Sequence, residues 1–123
     1  KKKNLKKITF KGFKGPTEYY KESEVICLTS SSEGFANVLA ESQVYGCLPI
    51  AYNSYSALTD IIIDGYNGYT IPSFNKNIFV EKLQAVIDDS DKRRIMQQNA
   101  KKHSIKYDIK NIADKWEALF NNI

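Results

Sequence analysis

Short apolar runs bounded by polar residues alternate along this chain with longer stretches in which apolar residues recur every three or four positions. Val25-Ile26-Cys27-Leu28 is an unbroken apolar run of strand length. Such a run predicts a strand buried on both faces, as in a parallel sheet, and the polar run at residues 29–32 ends it. Residues 48–51 and 68–71 predict two further short strands. Ile8, Phe10 and Phe13, with Gly12 and Gly15-Pro16 behind them, predict a first strand that ends in a turn.

The intervening segments carry the helical period. Residues 17–24 predict a brief helix in which Tyr19 and Tyr20 supply the apolar contacts. Over residues 35–45, Phe35, Val38, Leu39, Ser42 and Tyr45 fall on one face, and Gly46 is placed to end the helix in a left-handed conformation. Residues 60–63 predict a helical turn closed by Asp64-Gly65. Residues 77–88, with Ile78, Phe79, Leu83, Val86 and Ile87 on one face, begin a helix-rich tail that continues over 91–106 and 109–120. Strands alternating with helices imply βαβ units, so the expected class is α/β, a Rossmann-like parallel sheet with flanking helices.

Length and composition narrow this picture without changing it. A chain of 123 residues, 42% apolar and 26% charged, suits one folded domain spanning residues 1–123. No apolar stretch approaches the roughly 20 residues that a bilayer span needs. The lysine-rich opening at residues 1–7 is not followed by the apolar region of a signal peptide. The expectation is therefore a cytoplasmic protein. The net charge of +4 is unevenly spread: residues 1–14 hold seven lysines and no acid, while the remainder holds 11 basic and 14 acidic residues. A local lysine patch without arginine argues against nucleic-acid binding and leaves attraction to an anionic membrane surface as the more natural reading. Cys27 and Cys47, in apolar settings with no Cys-x-x-Cys or Cys/His pattern, read as two buried reduced thiols. His103, the only histidine, lies in a lysine-rich helix and reads as a surface residue, with no second member for a zinc site or a catalytic triad.

The candidate chemistry lies in Ser30-Ser31-Ser32-Glu33-Gly34-Phe35-Ala36-Asn37-Val38-Leu39-Ala40-Glu41, between a buried strand and a helix. Ligands of open α/β sheets bind beyond the carboxyl ends of the strands, where this loop is expected. The helix starting near Phe35 offers free backbone N–H groups and a partial positive charge suited to phosphate. Glu33 precedes it and Glu41 follows eight residues on, about 12 Å along a helix axis at 1.5 Å per residue. A pyrophosphate at the helix start would then have a carboxylate near each end, matching the order sugar, pyrophosphate, ribose of a nucleotide sugar. Gly34 lets the backbone approach without a Cβ in the way. Glu33 is equally explained as a dipole-favourable residue, and Glu41 as a solvated one.

Residues 30–41 resemble the E-x7-E motif of two-domain retaining glycosyltransferases of the GT-B fold, the glycosyl transferases group 1 family. The resemblance extends from Ile8 to the C-terminus. Residues 8–12 resemble the family's strand-plus-glycine, 24–30 its buried strand ending in Ser, 46–51 its G-x-P-(I/V)-A strand, and 60–68 its acidic-I-I-x-D-G-x-N-G stretch. It implies that the chain is an incomplete C-terminal half of a GT-B enzyme. The implied catalytic residue is Glu33, in contact with the transferred sugar, and Glu41 holds the ribose hydroxyls. Ser32 and the backbone amides of Gly34, Phe35, Asn37 and Val38 face the sugar and diphosphate, while the Phe35 and Val38 side chains are expected simply to pack. It also implies a nucleoside-diphosphate-sugar donor, a glycan or lipid-linked acceptor held by a separate N-terminal domain, retention of configuration, and no metal or other cofactor. Surface polysaccharide synthesis, in capsule or lipopolysaccharide, at the inner face of the membrane is the implied setting.

The chain departs from the family pattern at three places. Tyr52-Asn53-Ser54-Tyr55-Ser56 stands where a Gly-Gly loop is usual, Asp60 stands where Glu is usual, and the diphosphate-clamping Arg and Lys of the family belong upstream of residue 1. Two family strands that separate residues 8–12 from 25–28 are also lacking. Because buried backbone groups must be paired, the first strand is expected to be displaced, to pair directly with another strand, or to pair across a dimer. Two other functions fit the same architecture: a nucleotide-sugar epimerase, and a non-catalytic regulatory or interaction domain for which Glu33 and Glu41 are inessential.

Overall fold

The computed structural model describes residues 7–12, 15–31, 37–107 and 109–122. In chain order these form α1 (Thr17–Glu22), β1 (Val25–Leu28), α2 (Asn37–Val44), β2 (Leu48–Tyr52), α3 (Leu58–Ile61), β3 (Tyr69–Ile71), α4 (Lys76–Asp88), α5 (Ser90–Ser104), a 3-10 turn (Ile105–Tyr107) and α6 (Ile109–Asn121). The strands pair in parallel in the order β1-β2-β3, with Val25 opposite Leu48 and Ile50 opposite Tyr69. The Rossmann-like class expected from the alternation is the class observed.

β2 is central and all five of its residues are buried, which is why it reads as an unbroken apolar run. Alternation along it divides the core between two faces. Leu48, Ile50 and Tyr52 join Tyr69 and Ile71 beneath Phe79, Val86 and Met96 of α4 and α5. On the other face Ala51 meets Leu39 of α2, Leu58 and Ile61 of α3, and Ile62. Asn75 and Asp89 cap α4 and α5 by accepting the Ile78 and Lys92 amides at 3.1 and 3.0 Å. Arg93 donates to the Val86 and Ile87 carbonyls and pairs with Glu24 at 2.7 Å, so one side chain ties the end of α4 to the entry of β1. α6 carries Ile112, Trp116, Leu119 and Phe120 exposed along one stripe, with the Trp116 and Phe120 rings stacked at 5.7 Å.

A buried polar network joins α2 to the turn before β3. Asn67, with no exposed surface, accepts the Ile63 amide at 2.7 Å and donates to the Ile61 carbonyl at 3.0 Å and to Gln43 Oε1 at 3.4 Å. Gln43, also fully buried, donates to the same Ile61 carbonyl at 2.9 Å. Asp64 closes the turn by accepting the Thr70 amide at 2.9 Å, and Gly65 takes a φ of +79°. At Gly68 a Cβ would lie 2.4 Å from the Pro49 carbonyl oxygen, so only glycine lets this turn approach β2. Asp64-Gly65-Tyr66-Asn67-Gly68 is thus a structural clasp. His103 and Asn99 of α5 extend it, Nε2 of His103 lying 2.8 Å from the Asp60 carbonyl and Asn99 donating to the Tyr66 carbonyl at 3.0 Å. The half-buried His103 therefore has an anchoring role that the surface reading missed.

Several expectations are corrected. Residues 8–12 form no strand: Ile8 and Phe10 are 54% and 94% exposed, and Gly12 bends the segment at a φ of +70°. Among the described residues the segment pairs with no strand, which overturns the expectation that it pairs directly with another strand of this chain. Water satisfies its backbone, at the cost of leaving Ile8 and Phe10 exposed. The helical turn expected at 60–63 lies at Leu58–Ile61, where Leu58 and Ile61 are both buried, and Ile62 is already extended. Cys27 is exposed rather than buried, because α4 and α5 cover β2 and β3 and leave its side of the edge strand β1 open. Cys47 is fully buried as expected.

Two outcomes follow. Asn67→Ala removes the partner of an amide, a carbonyl and a side-chain oxygen inside the core, and should cost about 2–4 kcal/mol in urea unfolding, against less than about 0.5 kcal/mol for Asn77→Ala on the exposed face of α4. Partial desolvation by the neighbouring chain raises the pKa of the Cys27 thiol, and burial pushes Cys47 up to about 11. Cys47 should therefore resist iodoacetamide at pH 8 and react only as the pH approaches that value or the chain unfolds, whereas Cys27 should label first.

Candidate functional site

The carboxyl ends of the three parallel strands lie side by side, and short hydrogen bonds fasten the loops that leave them. Ser54 Oγ donates to the Ser30 carbonyl at 3.0 Å, joining the loop after β1 to the loop after β2. The Asn53 amide donates to the Ile71 carbonyl at 2.7 Å, and Ser73 Oγ donates to the Asn53 carbonyl at 2.9 Å, joining the loop after β2 to that after β3. This edge is where an open α/β sheet binds ligands.

α2 rises from that edge. Its inner face is Leu39, Ala40, Ser42 and Gln43, all buried, and its outer face is Asn37, Val38, Glu41 and Val44, all exposed. Asn37, Val38 and Glu41 stand at i, i+1 and i+4, so the three proposed contacts share one accessible face. Ser32, Glu33, Gly34 and Phe35 lie outside the described residues. Val38, expected to pack, is 41% exposed. The helix is turned away from the apolar pattern because two polar residues occupy core positions. Ser42 does so by donating to the Leu39 carbonyl at 2.8 Å, and Gln43 by joining the Asn67 clasp. Gln43 and Asn67 are the positioning residues that sequence reasoning missed. The available signal was a glutamine at i+4 from the core residue Leu39, on the face where an apolar side chain belongs. Gly46 ends the turn at a φ of +76°, as expected.

The bulky loop at residues 52–56 turns its rings inward. Tyr52 is buried and packs on Phe79 and Phe74 at 5.2 and 5.6 Å, and Tyr55 packs against the cluster around Leu39. Asn53 and Ser56 are the exposed members at the rim. A cavity of about 280 Å³ lined by Tyr69, Val86, Asp89, Lys92, Arg93 and Met96 opens between α4 and α5 and shares no residue with α2 or the loops just described. Among the described residues no three His, Cys, Asp or Glu side chains converge as a metal site, and no helix is long and apolar enough to cross a membrane.

Comparison with known proteins agrees with this architecture. The family model described as Glycosyl transferases group 1 matches residues 1–103. The chain is 28% identical over 104 residues to an alpha-1,4-N-acetyl-D-galactosaminyltransferase of Campylobacter jejuni, named for a diNAcBac-PP-undecaprenol-linked substrate; the match covers 85% of this chain and 29% of that protein. It is 29% identical, with a TM-score of 0.67, to the C-terminal domain of a glycosyl transferase group 1 family protein from Francisella tularensis, over 74% of this chain and 47% of that one. It is 25% identical, with a TM-score of 0.79, to the pneumococcal O-GlcNAc transferase GtfA in complex with UDP and GlcNAc, over 91% of this chain and 23% of that one. The chain thus spans less than a third of the curated relative's length. It belongs to the glycosyl transferases group 1 family and corresponds to the C-terminal domain of its GT-B enzymes.

Proposed function

We propose that residues 1–123 are the donor-binding domain of a retaining glycosyltransferase that takes a nucleoside-diphosphate sugar as donor. The observation that carries this reading is the outward face of α2. It brings Asn37, Val38 and Glu41 together at the carboxyl edge of a parallel sheet, a few residues after Glu33 in sequence. Glu41 accepts the ribose hydroxyls and Glu33 contacts the transferred sugar. Ser32 and the amides of Gly34, Phe35, Asn37 and Val38 hold the sugar and diphosphate. Amides and the helix dipole stabilise negative charge that develops on the leaving diphosphate. The acceptor, a glycan or lipid-linked glycan, is brought by an N-terminal domain, and transfer requires both domains to close on their ligands. The relative's undecaprenol-linked substrate supports a surface-polysaccharide role at the cytoplasmic face of the membrane. The UDP found in the pneumococcal neighbour makes uridine the first base to test.

The test is a protein-observed NMR titration with UDP-, GDP- and ADP-sugars, comparing the parent with Glu41→Ala. Shifts should concentrate at residues 32–41, and the variant should bind about tenfold or more weakly, the scale of one lost charged hydrogen bond. Equal binding by parent and variant, or shifts centred on the cavity between α4 and α5, would overturn the reading.

A further inference from the structure

Tyr20 of α1 is 4% exposed, and its hydroxyl has no hydrogen-bond partner among the described residues. That is uncommon, because buried polar atoms are almost always paired, and a lone one calls for an explanation. Its ring stacks on Tyr45 at 6.1 Å with an interplanar angle of 26°. Tyr45 lies one helical turn beyond Glu41, so the stack sets Tyr20 against the end of α2 that bears the carboxylate. Burial raises the Tyr20 pKa first, and the Glu41 carboxylate and the Cys47 thiol raise it further. Of the two, Cys47 is buried and protonated near neutral pH, and sulfur is a weak acceptor. Glu41 is exposed and, when ionised, acceptor-only.

We infer that Tyr20 is the positioning residue for Glu41, its hydroxyl donating to one carboxylate oxygen so that the other is held toward the ribose hydroxyls. The inference rests on the proposed role of Glu41 in donor binding. An O–H donor to a carboxylate makes a short, strong hydrogen bond. Here it fixes a side chain that would otherwise sample many rotamers in solvent, so that less freedom is lost when the nucleotide arrives. Tyr20 touches no ligand, and its effect passes entirely through Glu41.

Tyr20→Phe keeps the ring, its burial and its stack, and removes only the donor. Without ligand, Glu41→Gln should move the Tyr20 13Cζ resonance, and Tyr20→Phe should move the Glu41 13Cδ resonance; no movement of either overturns the inference. With ligand, Tyr20→Phe should weaken UDP several-fold and leave 2′,3′-dideoxy-UDP unchanged, and should add nothing in the Glu41→Gln background. Equal weakening of both nucleotides would mark Tyr20 as merely structural and overturn the inference. If Glu41→Gln binds UDP as the parent does, or the parent does not bind it, the donor reading of Glu41 and the ribose-directed role of Tyr20 fall together. The 13C comparison still decides, by itself, whether the two side chains touch.

Discussion

The fully buried amide of Asn67 is the constraint on which the arrangement of this domain depends. One side chain satisfies the carbonyl that ends α3 and an amide just beyond it, and reaches Gln43 of α2. It works only because Gly68 permits contact with Pro49 on β2. A polar group inside an apolar core is costly unless paired, and these are paired to one another. The network therefore specifies a single rotation for α2: Gln43 must face inward, and Asn37, Val38 and Glu41 consequently face out. The exposure of Asn37, Val38 and Glu41 is thus a by-product of what the inner face of α2 must satisfy.

The fold was legible in the sequence wherever burial leaves a periodic trace. β2 shows as an apolar run because a central parallel strand is covered on both faces, and α4 shows as a stripe because only one side of it meets the sheet. Legibility failed where the outcome depends on neighbours. Residues 8–12 have the apolar content of a strand but pair with none among the described residues. Cys27 sits in an apolar run whose outer side nothing covers. α2 misled in the other direction, since its core side includes Gln43, which no hydrophobic pattern would place inside, while Val38 and Tyr45 of the expected face are exposed.

The candidate site divides in the same way. The linear order of Glu33, Gly34 and Glu41 was readable as chemistry because a nucleotide sugar presents its groups in that order. The roles of Gln43 and Asn67, and the packing of Tyr52 and Tyr55 away from the rim, emerge only in three dimensions, because each depends on contacts between separate elements. The loop at residues 52–56, bulkier than the Gly-Gly loop usual in the family, spends both rings on packing and leaves small polar groups at Asn53 and Ser56 exposed.

The central claim is positional: a nucleotide lies along the outer face of α2 with its diphosphate at the helix start. Intermolecular NOEs between UDP and the isotope-labelled chain measure this directly. The account predicts contacts from the ribose protons to Glu41 and its neighbours on the exposed face, with the diphosphate over residues 33–38. Ribose contacts confined to Tyr69, Lys92 and Met96 in the cavity between α4 and α5 would contradict it.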